Sequence, residues 1–421
     1  MFPFVIVTFC CSDKSVWLVG FGMVDVGRAG ARPRILYIVP EDETFTTHFL
    51  EPARAARAAG FDVMVATFVR HQRDAIERED FRLLEMPTER ASLSLVSLLR
   101  SILRLRTILA EERPDLVHAL SIRSIVLLGL SGPVGRKYPL LASFTGLGQL
   151  WGRAGWAAEM ARGFVRLQAC WLSRGRTALV SFENEDDRRE FPHPADSVIF
   201  GGWGIEIGSR RSTKRSGDGP VRVAFLGRML RSKGLATVVE AVSLARAQEP
   251  QIELELWGTP DPGNPTSYTV DELNQLTTID GVAWMGKAPD IATVWERTDI
   301  AILLSESEGM PRALMEAAGY GIPMIATNVP GCRSVVRDGV DGFLVPLNDP
   351  VAAAEAIVRL ARDPASRNHM GRMARQQFDE RFSRDAVVPK ILEIYSRLIT
   401  NRENATLVQL PCDHGSQPIL S

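Results

Sequence analysis

The amino-acid sequence predicts an α/β protein made of two doubly wound parallel-sheet domains that face each other across a cleft. Three observations carry that prediction. Continuous β-branched runs such as "RILYIV" (34–39) and "IAILLS" (300–305) have the composition of strands buried on both faces of a parallel sheet, and they alternate with helical stretches. One charged, Ser- and Gly-rich segment, "EIGSRRSTKRSGDG" (206–219), interrupts the alternation near the middle of the chain and reads as a linker. The length, 421 residues, exceeds what a single hydrophobic core usually serves.

Residues 1–32 come first. The apolar run "FPFVIVTFCC" is too short to span a bilayer and has no basic flank or cleavage site. The segment therefore reads as a dispensable extension, with Met23 as an alternative start. The first domain occupies 33–205. After "RILYIV", the stretch 48–60 reads as a helix ended near Gly60, and "FDVMVAT" as the next strand. "LVSLLRSILRLRTILAEERPDLVHAL" (95–120) reads as a helix, a stop at Pro114, and a strand with His118 at its end. "YPLLASFTG", a long helix over 156–173 and "TALVSFENEDDRREF" complete this series.

The second domain, 220–380, repeats the pattern. Its strands are "VRVAFLGR", "IELELWG", "VAWMGK", "IAILLS", "PMIAT" and "GFLVP". Helices are expected over 233–247, 270–277, 290–297, 311–320 and 350–378. A last helix over 381–400 is expected to cross back to the first domain, and 401–421, which lacks periodicity, reads as a mobile tail.

Composition narrows the function classes. A formal net charge of -1 with 24% charged residues supplies no global attraction to nucleic acid. The five dispersed cysteines and six dispersed histidines show no metal-ligand spacing; the cysteines read as reduced thiols of a cytosolic protein. No metal and no cofactor is expected.

On doubly wound sheets, ligands bind beyond the carboxyl ends of the strands, at the switch point of strand order. Two sets of residues stand there in the second domain. In "FLGRMLRSKG", Arg228 and Lys233 follow the first strand, and two cations at this spacing suit an anion such as a diphosphate. Surface charges on a solvated loop fit the spacing equally well. In "SESEGMPRALMEAAGYG" (305–321), Glu308 precedes a helix that begins around Pro311, so the free backbone N–H groups around Gly309–Ala313 face the cleft. Glu308 reads either as a carboxylate favoured at a helix N-terminus or as an acceptor for sugar hydroxyls. Glu316, one and a half turns into the helix and flanked by Leu314, Met315, Ala317 and Ala318, fits a surface role poorly and a grip on vicinal hydroxyls better.

"FLGRMLRSKG", "SESEGMPRALMEAAGYGIPMIATNVPGCRSVV" and "DGFLVP" together resemble the retaining GT-B glycosyltransferases of family four, with Glu308 and Glu316 matching that family's E-x7-E motif. The resemblance covers nearly all of 33–400, and "RPDLVHAL", "FTGLGQLW" and "SFENEDDRREF" are similar to the branch that extends lipid-linked sugars for surface polysaccharides. It implies two Rossmann-like domains and transfer of a sugar from a nucleotide-sugar, most simply a UDP-sugar, to a lipid-linked or oligosaccharide acceptor at the inner face of the cell membrane. It further implies that Arg228 and Lys233 neutralise the donor diphosphate, that Glu308 binds the transferred sugar, and that Glu316 holds the ribose. Backbone amides near Gly309, Met310, Arg312 and Ala313 would contact sugar and phosphate, Gly286 would line the base pocket, and His118 would face the reacting sugar. A histidine satisfied within a strand-end network is the competing reading of His118. Two positions depart from the pattern: "VPEDETFTTHF" stands where many members carry a Gly-Gly turn, and Ser334 replaces an acid. A nucleotide-sugar epimerase lacks the paired cation and E-x7-E arrangement, and a non-catalytic glycan-binding module has no need of it.

The segment 151–176 is the candidate for a membrane or acceptor surface. It carries Trp151, Arg153, Trp156, Arg162 and Arg166. Trp156, Met160, Phe164, Leu167 and Trp171 share one helical face. That face either packs on the domain's own sheet or lies on an anionic lipid surface. The leucine-rich helix over 93–109, with Arg100, Arg104 and Arg106, is a second candidate.

Overall fold

The computed structural model describes residues 9–11, 14–18, 23–25, 32–87, 94–152, 154–174, 177–191, 196–208 and 219–407. A small antiparallel sheet, β1 (Phe9–Cys11), β2 (Lys14–Leu18) and β3 (Met23–Asp25), precedes the two domains.

The first domain holds β4 (Arg34–Glu41), β5 (Asp62–Phe68), β6 (Arg82–Glu85), β7 (Leu116–Leu120), β8 (Leu140–Phe144), β9 (Ala178–Phe182) and β10 (Ser197–Ile199). All pair in parallel, in the order β10-β9-β8-β7-β4-β5-β6. Strands β7 and β8 are buried along their whole length, as expected where helices cover both faces. The principal helices are α1 (Leu50–Ala58), α2 (Leu95–Glu112), α3 (Ser121–Leu130) and α4 (Trp156–Ser173). On one face, Leu105, Ile108 and Leu109 of α2, Ile125 and Leu128 of α3 and Val165, Ala169 and Leu172 of α4 share a core with the sheet.

The second sheet is also all parallel: β11 (Val221–Leu226), β12 (Ile252–Trp257), β13 (Val282–Gly286), β14 (Ile300–Leu303), β15 (Met324–Thr327) and β16 (Gly342–Val345), in the order β13-β12-β11-β14-β15-β16. It is packed by α5 (Leu235–Arg246), α6 (Arg312–Gly319), α7 (Pro350–Arg362) and α8 (Pro364–Arg381). The single helix expected over 350–378 is two. Pro364 cannot continue α7, and the Asp363 carboxylate accepts from Ser366 N at 2.9 Å to start α8 afresh. The final helix, α9 (Arg384–Leu407), runs past the expected end at 400. Its Val387, Ile391, Ile394, Tyr395, Leu398 and Ile399 lie in a core otherwise made of first-domain residues, including Tyr37, Phe61 and Leu141.

Four of the five stripe residues on α4 point outward. Trp156, Met160, Phe164 and Leu167 are 78%, 67%, 42% and 62% exposed, while Val165, Ala169 and Leu172 face the sheet. Of the two readings of this stripe, packing on its own sheet holds only for Trp171, which lies partly buried against the first-domain core. Val165, Ala169 and Leu172 pack α4 against α3 and β9 and leave Trp156, Met160, Phe164 and Leu167 outside. No helix of the described residues is long and apolar enough to cross a membrane.

Candidate functional site

The carboxyl ends of the two sheets face each other, and each sheet reverses strand order there, between β4 and β7 in the first domain and β11 and β14 in the second. The loops after these strands flank the crevice where such sheets bind ligands. Arg228 and Lys233 follow β11, and Glu308 follows β14. Lys233 ends a single 3-10 turn that Gly234 closes at φ +74°. A Cβ at Gly234 would lie 2.1 Å from the carbonyl oxygen of Leu304, so only glycine allows this loop so close to the end of β14.

That approach brings Lys233 Nζ to 2.5 Å from Glu308 Oε1, which also accepts from Ser305 Oγ at 2.6 Å. The pair is largely buried, with side-chain exposures of 21% and 10%. Lysine and serine thereby fix one carboxylate oxygen of Glu308. Arg228 is more exposed and pairs with Asp261 at 2.8 Å. Helix α6 starts at Arg312 with Pro311 as an uncapped N-cap; its first N–H groups belong to the set that no helical carbonyl can satisfy.

Glu316, on the second turn of α6, is 4% exposed. Its Oε1 accepts from Arg312 Nε at 2.7 Å, and burial raises its pKa against the opposing Arg312 guanidinium. The Arg312 guanidinium also donates to the Thr47 carbonyl of the first domain. Gly309 is a second crossing point, where its carbonyl accepts from Asn184 Nδ2 at 3.0 Å. A Cβ at Gly309 would meet Gly146 Cα and Glu183 Oε2, both at 2.7 Å. Met310 and Ala313 are partly buried against the second-domain core. Gly286 ends β13 at φ +71°, and its carbonyl accepts from Gly258 N at 2.7 Å. Ser334 bonds back to the Pro330 carbonyl at 3.0 Å within its own helical turn, while the neighbouring Arg333 reaches Asp186 of the first domain at 3.1 Å.

His118 does not face the cleft. It sits in the middle of β7, wholly buried. Nδ1 is 2.8 Å from Tyr395 Oη and Nε2 is 2.8 Å from Ser143 Oγ. Burial pushes its pKa down to about 3. A neutral imidazole tied between two hydroxyls in the core cannot touch a reacting sugar, so the role expected at that sugar is replaced by a structural one.

The cleft histidine is His48 instead, on the π-helical turn Phe45–Phe49 that follows β4. Burial, then the nearby positive charges of Arg312, Arg228 and Lys233, lowers its pKa to about 4. It therefore presents a neutral ring to the cation cluster. With Thr46, Thr47, Glu51, Glu206 and Arg312 it lines a cavity of about 220 Å³ between the domains. Glu183 was also missed. It is 8% exposed at the end of β9 and accepts from Trp203 Nε1 at 3.1 Å; burial pushes its pKa up to about 8. "VPEDETFTTHF" broke an expected pattern, and that was the only sequence signal near His48. Glu183 lay unmarked within an acidic stretch.

Trp151 stacks on Phe191 at 5.7 Å and donates to Glu190 Oε2 at 3.0 Å. Arg162 and Arg166 both pair with Glu159, and Arg166 also reaches Glu190. These two arginines are engaged within the domain. Arg153 lies outside the described residues.

A family model described as "Glycosyl transferases group 1" matches residues 209–377, and one described as "Glycosyl transferase 4-like" matches 34–151. Among curated relatives, a UDP-Gal:alpha-D-GlcNAc-diphosphoundecaprenol alpha-1,3-galactosyltransferase of Escherichia coli is 26% identical over 77% of this chain and 86% of its own length. An N-acetyl-alpha-D-glucosaminyl L-malate synthase of Bacillus anthracis is 30% identical over 34% of this chain. The match spans 38% of that relative, and a match to an exopolysaccharide phosphotransferase of Streptomyces coelicolor spans 19% of its length. Among solved structures, Anabaena Alr3699/HepE in complex with UDP and glucose superposes with a TM-score of 0.70 at 17% identity, covering 87% of this chain and all of the other. Sucrose-phosphate synthase of Thermosynechococcus elongatus gives 0.71 at 20% identity over 88% of this chain and all of the other. At these identities the structures speak to the fold.

Proposed function

The chain belongs to the GT-B glycosyltransferases of family four, and from that premise we propose that it transfers a sugar from a UDP-sugar, with retention of configuration, to a lipid-linked or glycan acceptor of a surface polysaccharide at the inner face of the cell membrane. The observation that carries this reading is the Lys233–Glu308 pair at 2.5 Å, set beside Arg228 and the uncapped start of α6 at the switch point of the second sheet. The donor diphosphate lies against Lys233, Arg228 and the free α6 amides. The transferred sugar lies against Glu308, whose second carboxylate oxygen is left to accept from its hydroxyls. Glu316 takes the ribose once Arg312 yields one of its contacts.

As the nucleotide leaves, negative charge grows on the diphosphate, and cations held beside it at the end of β11 lower the barrier. Neutral His48 completes the first domain's side of the crevice without adding a charge that would compete for the phosphate. The UDP-Gal donor and the diphosphoundecaprenol-linked acceptor in the name of the Escherichia coli relative support the donor and acceptor classes.

The test is transfer or hydrolysis with a panel of UDP- and GDP-sugars and membrane extract as acceptor, with the product anomer read by NMR. Turnover of a UDP-sugar that Glu308→Ala abolishes is expected. No turnover by a chain that still binds UDP overturns the reading, and full activity in Glu308→Ala overturns the site.

A further inference from the structure

We propose that two helices on one face of the N-terminal domain's sheet, α2 and α4, form a lipid-docking platform for an anionic bilayer at the mouth of the cleft. This deepens the membrane-side reading above and rests on it. Nine of the seventeen exposed large apolar side chains among the described residues lie on these two helices: Leu95, Val96, Leu98, Leu99 and Leu103 on α2, and Trp156, Met160, Phe164 and Leu167 on α4. The other eight are scattered over both domains. Single exposed apolar residues are ordinary, but such a concentration marks an interaction surface.

Position and charge select the occupant. Both helices belong to the layer on one face of the first sheet, with α3 between them and in contact with each. Each runs back from the carboxyl edge of the strands, since α2 follows β6 and α4 follows β8. The exposed apolar residues occupy the N-terminal two-thirds of each helix, so both patches lie toward the edge where the cleft opens. Between Leu95 and Thr107 there are three arginines and no acid. Arg104 donates to the Glu85 carbonyl, whereas Arg100 and Arg106 are exposed with no acidic partner among the described residues. Trp156 at the start of α4 has the amphipathic ring that settles at headgroup depth. On α4 the arginines are paired internally, so its contribution is apolar and the attraction to anionic headgroups comes from α2. A second copy of the chain would set Arg100 and Arg106 against their own duplicates. An anionic lipid surface complements both parts.

The experiment uses the full chain and co-sedimentation with vesicles of phosphatidylcholine alone or mixed with phosphatidylglycerol. Binding to the anionic vesicles that falls with added salt is expected, with partition at least about tenfold weaker to phosphatidylcholine. Leu95→Ser/Leu99→Ser and Phe164→Ser/Leu167→Ser should each weaken partition about tenfold, because the apolar area buried in the interface is lost. Arg100→Glu/Arg106→Glu should abolish the preference for anionic lipid. UDP affinity and the thermal midpoint, measured on the same preparations, report folding and the donor site. A variant that binds UDP but not vesicles supports the platform, whereas loss of UDP binding by the wild type counts against glycosyl transfer and not against docking. Absence of partition by folded wild-type protein overturns the proposal, as does partition unchanged in both apolar variants. A wild-type dimer that these substitutions dissociate assigns the face to a second copy and overturns it as well.

Discussion

Replacing Glu183 with glutamine tests the electrostatics of the closed crevice. The carboxyl lies between Trp203, which donates to Oε1 at 3.1 Å, and the backbone of Gly309. Burial raises its pKa from 4.5 to about 8; the Trp203 bond opposes the rise, while the negative charges of Asp187 and Glu308 add to it. A raised carboxyl pKa means that the folded protein keeps a proton the unfolded chain releases. Stability therefore falls as pH rises from 4.5, by about 1.4 kcal/mol per pH unit, reaching roughly 3 kcal/mol at pH 7 and levelling off above pH 8. Glutamine keeps the acceptor for Trp203 and a donor on the other side but carries no titrating proton. Glu183→Gln should thus match the wild type to within about 1 kcal/mol at pH 5 and exceed it by roughly 3 kcal/mol at pH 7. Urea unfolding at pH 5, 7 and 8.5 measures the difference. A difference that does not change with pH, or a glutamine protein that is the less stable one at pH 8.5, would refute the reasoning.

Four further outcomes follow from the geometry. Lys233→Ala should raise the barrier to sugar transfer by about 2–4 kcal/mol, seen as a loss in kcat of roughly thirtyfold to a thousandfold in the donor assay. Arg312→Ala leaves Glu316 buried without its guanidinium and should cost about 3–5 kcal/mol in urea unfolding. Gly309→Ala places a methyl group 2.7 Å from Gly146 Cα and Glu183 Oε2, so the domains must separate, and small-angle scattering should show a larger radius of gyration. Tyr395→Phe strips the hydroxyl that meets both Tyr37 Oη at 2.9 Å and His118 Nδ1 at 2.8 Å; unfolding should become easier by about 1–3 kcal/mol for each buried group left unpartnered.

The alternation of strand and helix was readable because a parallel sheet covered on both faces needs continuous apolar strands and long crossovers. Lys233 and Glu308 were each legible as loop residues at strand ends of the second sheet, but their meeting was not, because it depends on β11 and β14 being neighbours in the sheet. His118 was not legible, for the same reason its strand was easy to see. Every residue of β7 is buried, so no alternation tells which side chain turns to the cleft and which to the core. The α4 stripe was recognised as a face, but periodicity does not say which way a face points. The sheet-facing set, Val165, Ala169 and Leu172, is apolar too, so α4 offers two apolar faces that periodicity alone does not rank. His48 and Glu183 come from first-domain loops and gain their character only opposite Arg312, Lys233 and Glu308, which are remote in sequence and meet them only in the folded pair.

The return of α9 to the first domain has a consequence for how the chain is made. Residues 32–205 leave the ribosome well before α9, and Tyr37, Phe61 and Leu141 must wait for Val387, Ile391 and Tyr395 to cover them. Until the last helix emerges, the nascent first domain holds an open apolar slot, the kind of surface that chaperones shield. A chain released after Gly321 and before Arg384 would keep every residue of the E-x7-E loop and still be short of one wall of the opposite domain. The first domain's core is therefore complete only once the last helix has been made.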